Sequence, residues 1–157
     1  MLIRDLMTPD PLTVHPDAPV EDIARLLVAK RINGVPVVDE DRHLLGIVTA
    51  ADLIHRAADE EFYLQKSIWK ENFWVSFLNP EDTHPNKAQG RIASEVMTNE
   101  VHSAAPDAAS SVAARLMTDY HLTMLPVTEA EMVIGVISRI DLLRHLHELE
   151  NLLPRNN

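Results

Sequence analysis

A chain of 157 residues and 17.6 kDa has the length of one or two domains, and its apolar share of 46% suffices for a packed core, which excludes global disorder. Fourteen basic against 24 acidic residues give a net charge of −10, a surface that repels phosphate backbones and argues against broad nucleic-acid binding. Without cysteine there is no disulfide, thiol nucleophile or thiolate metal site; without an apolar run of about 18 residues or a signal-peptide core in Met1 to Asp10, a cytoplasmic protein off the membrane is expected.

Met7-Thr8 opens the first pattern and leads into a short extended stretch, Leu12 to Val14. Asp17 is placed to cap a helix, with Pro19 in the first turn, where a missing N–H is harmless. Val20, Ile23, Ala24 and Leu27 recur at helical spacing and predict an apolar face. Val35 to Val38 and Leu44 to Val48 are β-branched runs on either side of the polar turn Asp39 to Arg42, and predict a hairpin. A second helix is expected from Ala50. Residues 59–92 then hold Phe62, Tyr63, Trp69, Phe73, Trp74 and Phe77, six of the chain's seven aromatic residues. Four of them, Phe62, Trp69, Phe73 and Phe77, fall 7, 4 and 4 positions apart, on one face of a helix. Asn79 to Gly90, with two prolines and a glycine, predicts a loop. Beyond it come Met97-Thr98, an extended stretch Val101 to Ala104 and a less regular apolar set, Val112, Ala113, Leu116 and Tyr120. A second hairpin around Leu125-Pro126-Val127 and a helix from Arg139 complete the order.

The chain repeats itself. Met7-Thr8 returns as Met97-Thr98, Pro16-Asp17-Ala18 as Pro106-Asp107-Ala108, Ala24-Arg25-Leu26 as Ala114-Arg115-Leu116 and Pro36-Val37 as Pro126-Val127. All share an offset of 90; after a one-residue deletion the offset is 89, and Gly46 matches Gly135 while Asp52-Leu53 matches Asp141-Leu142. Ordered matches with a single gap are the mark of a duplicated unit. The expected organisation is a β-α-β-β-α unit over 1–58, a helical aromatic insert with its loop over 59–92, a second unit over 93–149 and a tail over 150–157.

Met-Thr, Gly34-Val35-Pro36-Val37-Val38-Asp39 and Gly46-Ile47-Val48-Thr49-Ala50-Ala51-Asp52 together resemble a cystathionine-β-synthase (CBS) domain. The second copy offers Leu125-Pro126-Val127 and Gly135-Val136-Ile137-Ser138-Arg139-Ile140-Asp141. The resemblance covers nearly the whole chain apart from the insert and the last ten or so residues. It implies an α/β fold in which two CBS repeats pack about a pseudo-twofold axis as a Bateman module, commonly a homodimer. It further implies binding of an adenosyl ligand (AMP, ADP, ATP or S-adenosylmethionine) as a regulatory ligand, with no required cofactor and no catalysis.

The residues support that reading chemically. A nucleoside needs an acceptor for two vicinal ribose hydroxyls, which one carboxylate provides, and donors for phosphate, best placed at a helix N-terminus. Gly-x-x-Ser/Thr-x-x-Asp at a strand-to-helix junction supplies both; the same residues equally suit a plain N-cap with a first-turn acid. By the resemblance, one cleft joins Ser138, Arg139 and Asp141 to Thr8, Pro11, Leu12, Ile32, Asn33 and Gly34. The other joins Thr49 and Asp52 to Thr98, Val101, His102, Leu122, Thr123 and Met124. Arg139 beside the expected phosphate position, and Gly34 admitting the purine, favour the first cleft. Ala50, Ala51 and Met124 make the second vestigial, weaker, or suited to an uncharged nucleoside, so that one competent nucleotide site is expected. Arg139 also fits a solvated helix residue.

Other chemistries find little support. His145 and His147, two apart on a helix, point about 200° apart and cannot share an ion. There is no H-E-x-x-H, no glycine-rich phosphate loop and no Gly-x-Ser-x-Gly elbow. The aromatic insert either buries its stripe against the repeats or forms an interface with a second copy or an unknown regulated partner. A ligand-free dimerising scaffold acting through that insert is therefore the alternative function.

Overall fold

The computed structural model describes residues 1–54 and 92–152. The chain starts with one helical turn, α1 (Ile3–Leu6), and a two-residue strand, β1 (Thr8–Pro9). Helix α2 (Val20–Lys30), strands β2 (Gly34–Val38) and β3 (Leu44–Thr49), and a helix α3 (50–54) follow. The second copy repeats the order with α4 (Ala93–Val96), α5 (Ser110–Asp119), β4 (Met124–Glu129), β5 (Met132–Ser138) and α6 (Arg139–Leu152). The expected α/β class and both hairpins are present. The aromatic insert, Ile92 apart, lies outside the described residues.

The elements fall into two units, neither continuous in sequence: Met1–Leu12, Asp41–Leu44 and Glu100–Asn157 form unit 1, and Thr13–Glu40 and Leu45–Asn99 form unit 2. Each unit thus takes its opening Met-Thr segment from the other repeat.

In unit 1 the sheet order is β1-β5-β4, with Thr8 opposite Val136 and Leu125 opposite Ile137, all antiparallel. Residues 41–44 continue the β1 edge: Leu44 N–H donates to Glu131 O (3.1 Å) and Val133 N–H to Arg42 O (3.0 Å). Ile3, Ala113, Met117, Leu125, Val127 and Ile137 form the core. In unit 2, β2 and β3 pair, and Ile23, Leu27, Val35, Val37, Val48, Ala93 and Val96 form the core.

Two of the repeated motifs have a structural explanation. A short helix leaves its first N–H groups without internal partners. Those of α1 donate to the opposite repeat, Ile3 N–H to Ala108 O (2.9 Å) and Arg4 N–H to Pro106 O (2.8 Å). Those of α4 do the same with Ala18 O (2.8 Å) and Pro16 O (2.9 Å), so Pro-Asp-Ala is a turn that presents carbonyls. The second explanation concerns glycine. A Cβ on Gly46 would lie 3.0 Å from Thr98 O and against the Met97 side chain; one on Gly135 would lie 3.2 Å from Thr8 O and against Met7. Met-Thr and the distant glycine are two halves of one contact.

Two local expectations are corrected. Asp17 does not cap α2: Ala18 N–H closes a turn on His15 O (2.9 Å), and Pro19, in extended conformation, is the N-cap, so Asp17 stays in the turn beside His15. On α5 the buried positions are Ala113 and Met117, one turn apart, while Val112 and Tyr120 are exposed. Val14 and Ala104 hold the expected extended stretches, each in a parallel bridge to Val37 and Val127 respectively.

Candidate functional site

Each hairpin ends by turning directly into a helix, and both turns carry the same hydrogen-bonded box. At Ser138, the backbone N–H (2.8 Å) and hydroxyl (2.6 Å) donate to Asp141 Oδ2, and Asp141 N–H donates back to Ser138 Oγ (3.4 Å). At Thr49 the corresponding distances are 2.9, 2.8 and 3.2 Å, with Asp52 as the acid. This is a reciprocal cap, which relieves the otherwise unsatisfied donors of the first turn. It also fixes each carboxylate in one rotamer through Oδ2. Among the described residues Asp52 Oδ1 takes no hydrogen bond, and Asp141 Oδ1 has only a long ion pair with the exposed guanidinium of Arg144 (3.6 Å). Both aspartates are half-buried. Each unit therefore holds an oriented carboxylate oxygen beside a helix N-terminus, a pairing that suits vicinal hydroxyls and an anion respectively.

Backbone bonds tie the start of each hairpin to its box. Ala50 N–H donates to Asn33 O (2.8 Å) in unit 2, and Arg139 N–H to Thr123 O (3.1 Å) in unit 1. Thus Ile32, Asn33 and Gly34 accompany Thr49 and Asp52, while Leu122, Thr123 and Met124 accompany Ser138 and Asp141. Unit 1 also carries Thr8 on β1, the buried Pro11, the exposed Leu12, and Val101 and His102, both half-buried. Thr98 belongs to unit 2, where it exchanges backbone bonds with Ile47 (3.1 and 2.9 Å). Gly34 and Met124 are both buried.

Arg139 has a role that its sequence position did not disclose. Its Nε donates to Leu122 O at 2.6 Å and an Nη to Met117 O at 3.5 Å, so the guanidinium lies on carbonyls at the end of α5. A cation there complements the negative end of the helix dipole. Tyr120, expected on the apolar face of its helix, instead stacks its ring on His102 with centroids 3.7 Å apart. The only sequence signal of that stack was its rank as the sole Phe, Tyr or Trp outside 59–92. No group of three or more His, Asp or Glu side chains among the described residues is placed to hold a metal ion, and none of their helices is long and apolar enough to cross a membrane.

The family model for the CBS domain matches residues 3–59 and 93–148. The chain belongs to the CBS domain family. As a CBS-domain pair it is similar to an archaeal protein from Methanocaldococcus jannaschii, 29% identical over 162 residues, covering 93% of this chain and 91% of that one. Its fold is similar to the structure of Arabidopsis thaliana CBSX2 in complex with AMP, with a TM-score of 0.72, 25% identity and coverage of 95% of this chain and 98% of that one. It is also 30% identical over 137 residues to an inosine-5'-monophosphate dehydrogenase from Aquifex aeolicus, but this covers 86% of the CBS pair and 22% of the enzyme. CBS pairs are typically regulatory parts, and here the match accounts for a minor part of an enzyme.

Proposed function

We propose that this CBS pair is a regulatory module that binds an adenosyl ligand, AMP, ADP, ATP or S-adenosylmethionine, and relays its level to a protein partner. The observation that carries the reading is the twin box: two carboxylates, each locked through one oxygen and presenting the other at a helix N-terminus. Asp52 and Asp141 accept the ribose hydroxyls. The apolar and backbone surface of Ile32 to Gly34 and of Leu122 to Met124 receives the base, along with Val101 and His102. Thr8, Pro11, Leu12 and Thr98 line the approaches. The AMP complex of CBSX2 supports the ligand class. The proposed action is a shift between conformations through differential affinity.

The exposed ridge of Ile140, Leu143 and Leu146 on α6, each more than half exposed, supports pairing with a second copy of the chain. Sedimentation of the wild type against Leu143→Glu checks this: a dimer that becomes a monomer is expected, and equal masses would rule the ridge out as the contact.

Calorimetric titration with AMP, ATP and S-adenosylmethionine tests the function itself. Saturable binding of at least one is expected. Absence of heat with all three, at concentrations up to about 1 mM, where a binding free energy of only about −4 kcal/mol would register, contradicts the reading.

A further inference from the structure

In a chain with 4% aromatic residues, Tyr120 is the one Phe, Tyr or Trp outside 59–92, yet the fold does not spend it on a core. It is the C-cap of α5 and is 52% exposed. Its ring is backed by the imidazole of His102, with centroids 3.7 Å apart and planes 27° from parallel. A tyrosine covered by a ring yet still half open to solvent is a stiff, flat, apolar surface.

Both ends of the stack are anchored. Two residues after Tyr120, Leu122 O accepts from Arg139 Nε (2.6 Å) and Thr123 O from Arg139 N–H (3.1 Å). Two residues after His102, Ala104 N–H donates to Pro126 O (3.0 Å), and Ser103 Oγ bonds Thr128 Oγ1 (3.1 Å). Preorganisation of this kind lowers the entropy lost when a planar ligand docks. The equivalent positions of the first repeat, Lys30 and Leu12, carry no ring.

We infer that the His102–Tyr120 stack is the base-recognition platform of this protein. The purine of the adenosyl ligand stacks on it, and the site to which Val101, His102, Leu122, Thr123 and Met124 belong is the tighter of the two. The inference rests on the adenosyl-binding reading and deepens it. It gives the base to His102 and to Leu122, Thr123 and Met124, residues that the resemblance assigns to the weaker cleft.

The test is calorimetric titration of wild type, Tyr120→Ala, Tyr120→Phe and His102→Ala with AMP and with ribose 5-phosphate, which lacks the base. Loss of one base–aromatic stack weakens the tighter AMP isotherm about 5- to 150-fold in Tyr120→Ala. Tyr120→Phe keeps the ring and stays within about twofold of wild type, as expected if stacking is sequence- and substituent-tolerant. His102→Ala, which removes the backing ring, weakens AMP in the same direction. Ribose 5-phosphate binds wild type and Tyr120→Ala equally. Wild-type AMP affinity in both Tyr120→Ala and His102→Ala would overturn the platform while leaving nucleotide binding intact. An equal loss for ribose 5-phosphate would overturn it as well, because the ring would then not act through the base. A wild type that binds no AMP would overturn both readings together.

Discussion

Gly46→Val and Gly135→Val are each expected to destabilise the protein by about 2–3 kcal/mol, the upper part of the range for an overpacked site. The cause is a backbone contact. At Gly46 a new Cβ meets Thr98 O at 3.0 Å and the Met97 side chain; at Gly135 it meets Thr8 O at 3.2 Å and Met7. A methionine can rotate away, but the carbonyls cannot, because Thr98 is bonded to Ile47 in both directions and Thr8 is paired with Val136 in β1. Valine adds two methyl groups to the same crowded spot. Thermal melting followed by circular dichroism reads the effect. With about 2–4 °C per kcal/mol for a chain of this size, a fall in Tm of roughly 4–12 °C is expected. Wild-type melting of both variants would show that the Met-Thr segments do not close over the glycines.

The second large effect is on binding. Asp141→Asn keeps an oxygen to receive the Ser138 N–H and hydroxyl, so the cap survives and stability falls by no more than about 1 kcal/mol. What is lost is the negative charge on the oxygen proposed to receive the ribose hydroxyls. A hydrogen bond to a charged group contributes about 1.5–3 kcal/mol, so AMP affinity at that site falls about 10- to 150-fold. Asp52→Asn has the same effect at the other site, and the double variant abolishes measurable binding. Calorimetry beside a melting curve separates affinity from folding. Undiminished AMP binding in the double variant would exclude the carboxylates as the ribose acceptors.

The repeat, both hairpins and the helices after them were legible in the sequence because each rests on local patterning. Ile23, Ala24 and Leu27 mark a helix face, and Val35 to Val38 and Leu44 to Val48 mark strands, whatever else surrounds them. The Ser138-x-x-Asp141 and Thr49-x-x-Asp52 boxes were legible for the same reason, being closed within four residues. Long-range exchanges were not. Nothing local to Met7 says that it packs on Gly135, 128 positions away by subtraction, or that Pro106 and Ala108 supply the carbonyls that hold α1. Arg139 shows the same limit at the site. Its reach to Leu122 O and Met117 O depends on how α5 ends beneath it, which nothing beside Ser138 in the sequence discloses. Asp17 was misassigned because the Pro-Asp-Ala turn serves the other repeat's short helix, so α2 begins later, after Pro19.

A crystal structure of the protein grown with AMP would place the ribose directly. Density is expected for the nucleotide with its ribose 2′ and 3′ hydroxyls at hydrogen-bond distance, about 2.5–3.0 Å, from a carboxylate oxygen of Asp52 or Asp141. A nucleotide bound with its ribose away from both carboxylates, or a fully nucleotide-free structure at saturating AMP, would contradict that placement.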